Sequence, residues 1–305
     1  VTGRDNGMVF HPDLRLARFL PRTVTTPALL PVMRFMTRMA ARTTPPDVEV
    51  VAVGEQASVR VFRPASGRRS APALLWIHGG GYVAGNAAFE DTFCREVAGR
   101  LDVVVASVEY RLAPEHPFPA PLDDCYAGLR WLADDPGVDR ARIAIGGASA
   151  GGGLAAGLAL MARDRGEIAP VFQLLVYPML DDRTADRADI DPRTLRVWSQ
   201  RSNRFGWRSY LGSAVKDVPY LAAAGRCEDL TGLPPAWIGV GTADLFHDED
   251  VRYAARLTEA GVPCALEIVP GAYHGFDAIE RSAGVSRQFT QTQLSVLDAA
   301  LNVAD

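Results

Sequence analysis

The residues best suited to covalent chemistry gather around one serine. Ser149 stands in Gly147-Ala148-Ser149-Ala150-Gly151, a G-x-S-x-G pentapeptide. The β-branched run Ile143–Ile145 before it reads as a strand, and the Ala/Leu-rich stretch to Arg163 reads as a helix. So tight a strand-to-helix turn presents its serine as a nucleophile, and glycine two positions to either side removes Cβ atoms that would collide. A hydroxyl attacks poorly at neutral pH unless a base takes its proton and an acid orients that base. Five histidines are available. His11 lies in the N-terminal segment, His116 in a proline-rich loop, His78 at the head of a glycine run and His247 in an acidic stretch. His274, in Gly271-Ala272-Tyr273-His274-Gly275-Phe276, directly follows the last expected strand and is the expected base. Asp244 follows the strand expected at Ala236–Val240 and is the expected acid. Asp248 and Glu249 are alternatives, although at the start of a helix such carboxylates ordinarily serve its N-terminus.

A tetrahedral intermediate also needs amide donors for its oxyanion. Gly79-Gly80-Gly81, after another expected strand, lets backbone approach substrate closely, so Gly80, Gly81 and Ala150 are the expected donors. Gly79 shapes the turn, and His78 orders the loop by hydrogen bonding; as a metal ligand it lacks a suitably spaced partner. Gly151-x-Gly153-x-x-Ala156 loosely matches a dinucleotide fingerprint, but it begins after the turn, where helical amides are already engaged.

The elements that must hold these residues follow from periodicity. Two amphipathic segments, Pro12–Leu20 and Pro27–Arg42, precede a boundary at Thr43-Thr44-Pro45-Pro46. Val48–Val53 and Ser58–Phe62 read as a hairpin around Gly54-Glu55-Gln56. Apolar runs at Ala73–Ile77, Val103–Val108, Phe172–Val176 and Ala265–Val269 complete eight strands. Helices are expected at Ala87–Gly99, Leu122–Leu132, Glu249–Ala260 and Ser286–Leu301. This alternation predicts an α/β fold with a mostly parallel sheet and helices on both faces. It breaks between Asp181 and Leu233, where Trp198, Phe205, Trp207 and Tyr210 accompany a helix expected over Arg193–Leu211. An insertion there lies over the carboxyl edge of the strands, where such sheets bind ligands. Residues 1–46 are expected to form cap helices with the 181–233 insertion, and 47–305 a catalytic domain.

Composition removes several function classes. A chain of 305 residues, 48% hydrophobic and 22% charged, can bury a sizeable core. Its net charge of −4 gives no footprint for nucleic acid. Cys94, Cys125, Cys227 and Cys264 are scattered and read as free thiols of a reducing compartment. No stretch has the apolar length of a membrane span, and Arg15, Arg18 and Arg22 interrupt any secretory h-region, so a cytoplasmic location is expected. The chain opens on Val1 rather than methionine, which leaves room for upstream residues. The Met-rich segment Pro27–Arg42 could lie on a membrane surface, but packing on its own protein is the preferred reading.

The order Ser149, Asp244, His274 is that of α/β-hydrolases. Together with Trp76-Ile77-His78-Gly79-Gly80-Gly81-Tyr82, Tyr110-Arg111-Leu112-Ala113-Pro114-Glu115, Asp248-Glu249 and His274-Gly275-Phe276, it resembles the hormone-sensitive-lipase-like esterases, the HGGG branch of that superfamily. The resemblance runs from about residue 72 to 277. It implies an α/β-hydrolase fold with a helical cap and a carboxylesterase acting on small esters with short to medium acyl chains. It also implies an acyl-enzyme on Ser149 and no cofactor. Tyr82 and the cap aromatics are expected to line the acyl pocket. Members are often dimeric, and the last strand, if it forms the sheet edge, offers a pairing surface. Ala148 and Leu245 depart from the acidic or threonine residue and the proline that many members carry there. Amide or lactone hydrolysis, and ligand binding without catalysis, are the rival readings.

Overall fold

The computed structural model describes residues 10–40, 44–54 and 56–302. Parts of the expected N-terminal segments, the Thr43 boundary, Glu55 of the hairpin turn and the last three residues lie outside them.

In chain order the main elements are α1 (Leu30–Ala40), β1 (Glu49–Val53), β2 (Ala57–Phe62), β3 (Ala71–Ile77), α2 (Asp91–Leu101) and β4 (Val104–Glu109). Then follow α3 (Ala120–Asp134), β5 (Val138–Ala148), α4 (Ala150–Arg165), β6 (Phe172–Val176), α5 (Gln200–Leu211) and β7 (Ala236–Ala243). The chain closes with α6 (His247–Glu259), β8 (Cys264–Tyr273), α7 (Phe276–Ile279) and α8 (Gly284–Leu301). The eight strands form one sheet in the order β1-β2-β4-β3-β5-β6-β7-β8. β2 pairs antiparallel with β1 and β4, and every other pairing is parallel. Central β3 is buried along its whole length, as its unbroken apolar run requires.

Two cores sandwich the sheet. On one face α3, α4 and α6 deliver Leu122, Leu129, Leu158 and Leu257. On the other, α2 and α8 deliver Val97, Leu101, Phe289 and Leu297. Helix α4 is buried from Ala150 to Ala162, so it has no polar face, and small residues let it sink between sheet and neighbours. A Cβ on Gly151 would lie 2.0 Å from the Ile77 carbonyl oxygen, and one on Gly153 would lie 2.2 Å from that of Met179. The Gly151–Gly153 pair therefore serves helix packing, inside α4.

Several expected boundaries move, each for a physical reason. Pro12–Leu20 forms only a single turn at Ala17–Phe19. Its backbone is claimed from outside: Glu280 accepts the Leu16 N–H and Arg196 donates to the Ala17 carbonyl. Helix α5 begins at Gln200 rather than Arg193, because Val197 sits at φ 67° and Ser199 caps the helix by accepting from the Ser202 N–H. β5 begins at Val138, where polar residues continue the ladder to Ala71 ahead of the apolar run.

Close packing behind the serine turn gives a first testable outcome. Gly151→Ala should lower stability by about 1–3 kcal/mol, measured by urea unfolding. Gly99→Ala, at an open position in α2 with nothing within 4 Å, should instead leave stability unchanged or raise it by about 0.4–1 kcal/mol.

Candidate active site

β5 delivers Ser149 to the carboxyl edge of the sheet in a backbone conformation that side chains rarely adopt, φ 58° and ψ −122°. Three hydrogen bonds hold it there. Its N–H donates to Val176 O at 2.9 Å, and its carbonyl accepts from Gly153 and Met179 N–H at 3.0 Å each. Gly147 is needed because a Cβ there would lie 2.4 Å from the Gly151 oxygen.

β7 and β8 end beside it and bring in the other two expected residues. His274 Nε2 lies 2.9 Å from Ser149 Oγ, and its Nδ1 lies 2.8 Å from Asp244 Oδ2. A carboxylate only accepts, so Nδ1–H donates to it and Nε2 is left to accept the serine proton. The second oxygen of Asp244 accepts from the Phe246 N–H at 2.9 Å, which fixes the carboxylate plane. The His274 ring meets the rings of Tyr177 and Phe246 edge to face, at 4.9 and 5.1 Å. Ser149 and His274 are each only 6% exposed. The dry surroundings strengthen each polar contact in the chain.

Asp248 and Glu249 do not reach His274. Asp248 pairs with Arg187 and His247 at the surface. Glu249 is buried and accepts from the Leu180 and Asp181 N–H groups at 2.7 and 3.1 Å, bracing the loop that follows Met179. Burial pushes its carboxyl up to about 8, against the pull of Thr184 and those two amides. Neighbouring Asp250 is also driven well above the carboxylate range, chiefly by burial and then by Glu249 and Asp244.

The glycine loop folds against the serine. A Cβ on Gly79 would lie 3.3 Å from Ser149 Cβ. Gly80 and Gly81 have φ of 118° and 62°, so both turn in the left-handed region. Neither amide donates a hydrogen bond among the described residues. The Ala150 amide, in the first turn of α4, has no partner within the helix. His78 orders this loop: its ring stacks on Tyr110 at 4.2 Å, and Nδ1 contacts Gly79 O at 2.7 Å. Burial lowers its pKa, so the ring is neutral and Nδ1–H is the donor. Tyr110 in turn donates its hydroxyl to the His78 carbonyl.

Above the loop sits the insertion. The Trp198 ring presses on Gly81, where a Cβ would come within 2.1 Å of it, and lies 6.2 Å from the His274 ring. Tyr82, expected to line the acyl pocket, has no exposed surface. It stacks on Tyr210 at 4.0 Å and donates its hydroxyl to Met179 O, so it ties α5 to the core. Tyr177 was not singled out from the sequence. It holds His274 at its edge and donates its hydroxyl to Asp277, and only its place after a strand end hints at this. A cavity of about 420 Å³ opens beside Ala148 and Tyr177, lined also by Trp76, Glu90 and Asp277; neither Ser149 nor His274 lines it.

Comparisons with known proteins agree with this architecture. A family model described as alpha/beta hydrolase fold matches residues 74–278. Esterase LipI of Mycobacterium tuberculosis is 39% identical over 231 residues, covering 71% of this chain and 70% of its own. Carboxylesterase NlhH of the same organism is 35% identical over 293 residues, covering 91% and 86%. Among solved structures, a bacterial heroin esterase superposes with a TM-score of 0.85 at 37% identity, covering 96% of this chain and 98% of its own.

Burial of Glu249 has a pH signature. Its folded value of about 8 exceeds the ordinary 4.5, so the folded protein keeps a proton that the unfolded chain has released. The stabilisation is complete below about pH 4.5 and is lost as pH rises through 8, at a slope of at most about 1.4 kcal/mol per pH unit. Thermal unfolding between pH 5 and 8.5 should therefore show a shallower alkaline loss in Glu249→Gln than in the wild type. Equal slopes would remove Glu249 from this account.

Proposed function

Because the chain belongs to the alpha/beta hydrolase fold family, in its hormone-sensitive-lipase-like branch, and is a carboxylic-ester hydrolase, we propose that Ser149, His274 and Asp244 form its catalytic triad. The reading is carried by one observation, the unbroken contacts from Asp244 Oδ2 through the imidazole to Ser149 Oγ. His274 Nε2 takes the hydroxyl proton as Oγ attacks the ester carbonyl. The amides of Gly80, Gly81 and Ala150 stabilise the oxyanion. The tetrahedral intermediate collapses, the alcohol departs with the proton from Nε2, and Ser149 is left acylated. Water then gives its proton to Nε2 and attacks the acyl carbon. Nε2 returns the proton to Oγ as the acid leaves. Asp244 holds the tautomer and stabilises the imidazolium. No step calls on a cofactor.

Short to medium acyl chains fit a site roofed by Trp198, with Ser149 scarcely exposed. In this reading residues 1–46 and 181–233 act as a cap on a 47–305 catalytic domain. Supporting contacts include Val197 N–H to Pro21 O and Ser202 Oγ–H to Thr25 O. Two copies are proposed to pair along β8, which ends the sheet with Leu266 and Ile268 exposed.

On p-nitrophenyl esters, Ser149→Ala should lower kcat by about 10⁴-fold or more and Asp244→Asn by about 10⁴-fold, with melting temperature little changed. Wild-type rates should peak among the short and medium esters and decline toward palmitate. Normal turnover by Ser149→Ala would exclude the mechanism. Light scattering should give twice the monomer mass, and Ile268→Asp should halve it; a monomeric wild type would rule out pairing along β8.

A further inference from the structure

Helix α1 packs by one side and leaves an apolar side bare. Its inner side is firmly attached. Leu30 is buried, and Arg34 donates to Val83 O, Ala113 O and the Glu115 carboxylate at 2.6–2.7 Å. Asn86 donates to Thr37 O from below. On the outer side Leu29, Val32, Met36 and Met39 recur at three- and four-residue spacing, with Phe35 adjoining them. Val32 is 57% exposed, Phe35 64% and Met36 65%. Of thirteen exposed large apolar side chains among the described residues, seven fall between Leu16 and Met39, where Phe19 at 72% is the most exposed. So dense a patch marks a surface that something covers.

Charge selects the occupant. Between Phe10 and Ala40 the chain has five arginines and one acidic residue, Asp13, in a protein whose net charge is −4. Arg34 is engaged in internal contacts, and the single carboxylate, Asp13, accepts from the Val285 N–H, so arginine charge remains in excess. Arg15, Arg18 and Arg22 are exposed, and Arg18 stacks over Phe19. A basic, aromatic and Met-rich surface suits an anionic lipid interface, which takes the apolar side chains among its acyl chains and the guanidinium groups among its phosphates. A second copy would bring arginines toward arginines. No helix among the described residues is long and apolar enough to cross a membrane, so the contact would be peripheral.

We propose that the outer side of α1, with the Arg15–Arg22 stretch, docks this enzyme on anionic lipid surfaces. Position links docking to the site. Arg34 grips the chain just past the glycine loop, and the Pro21–Thr25 segment is bonded to Val197, Ser199 and Ser202 around the roofing Trp198. A docked molecule thus turns its capped edge, the side on which substrate must enter, toward the interface.

The test is co-sedimentation of the full chain with vesicles of phosphatidylglycerol and phosphatidylcholine at low salt. Wild-type protein should pellet with the mixed anionic vesicles and at least tenfold less with pure phosphatidylcholine. Phe35→Glu/Met36→Glu should lose at least tenfold in binding while hydrolysing p-nitrophenyl acetate at the wild-type rate, which shows that it folds. Arg15→Gln/Arg18→Gln/Arg22→Gln should weaken binding and flatten its salt dependence. Absence of wild-type binding, or equal binding by the Phe35/Met36 variant, would overturn the proposal. So would a wild-type dimer that this variant dissociates, since a second copy would then own the surface.

Discussion

Gly151 rests its Cα against the carbonyl of Ile77, and the carboxyl edge of this protein depends on that approach. A side chain there would push α4 away from β3 and strain the turn that holds Ser149 at positive φ. The same carbonyl belongs to the last residue of β3, from which the His78–Gly81 loop departs. One contact therefore sets the spacing between Ser149 and the His78–Gly81 loop. The cost of the turn is spread over three backbone hydrogen bonds at Ser149 and over a helix buried on every side. Ser149, His274 and Asp244 thus sit on rigid supports, which hold their mutual distances.

Carboxyl groups near the site divide by environment. Asp244 has both oxygens occupied, one by an imidazole and one by a backbone amide. Glu249 and Asp250, a few residues on, are buried and form no salt bridge among the described residues, and desolvation favours their protonated forms. Asp248 escapes this by reaching the surface and Arg187. The four acids within these seven residues thus fall into three environments because the strand end and first turn of α6 aim them at different surroundings.

Much of this was legible in the sequence, because the informative features are local. A glycine-flanked serine between a β-branched run and an Ala/Leu helix names its own geometry, and His274 and Asp244 follow strands recognisable by apolar length. What escaped depends on distant partners. Pro12–Leu20 has a helical pattern, yet Glu280 and Arg196 take its backbone groups from more than 170 residues away. Tyr82 has the composition of a pocket wall, but Met179 and Tyr210 bury it. Glu249 reads as a helix-start charge, and only the fold shows the loop amides that it braces.

The join between Thr25 and Ser202 spans 177 residues. A ribosome releases the first partner long before the second exists. Until Glu115 has emerged, the inner side of α1 lacks the full set of partners, Val83, Ala113 and Glu115, that its Arg34 grips. The Trp198–α5 segment can close over Ser149 only after Ser202 has emerged, so this side of the molecule is completed after the β3–β5 turn beneath it has been made.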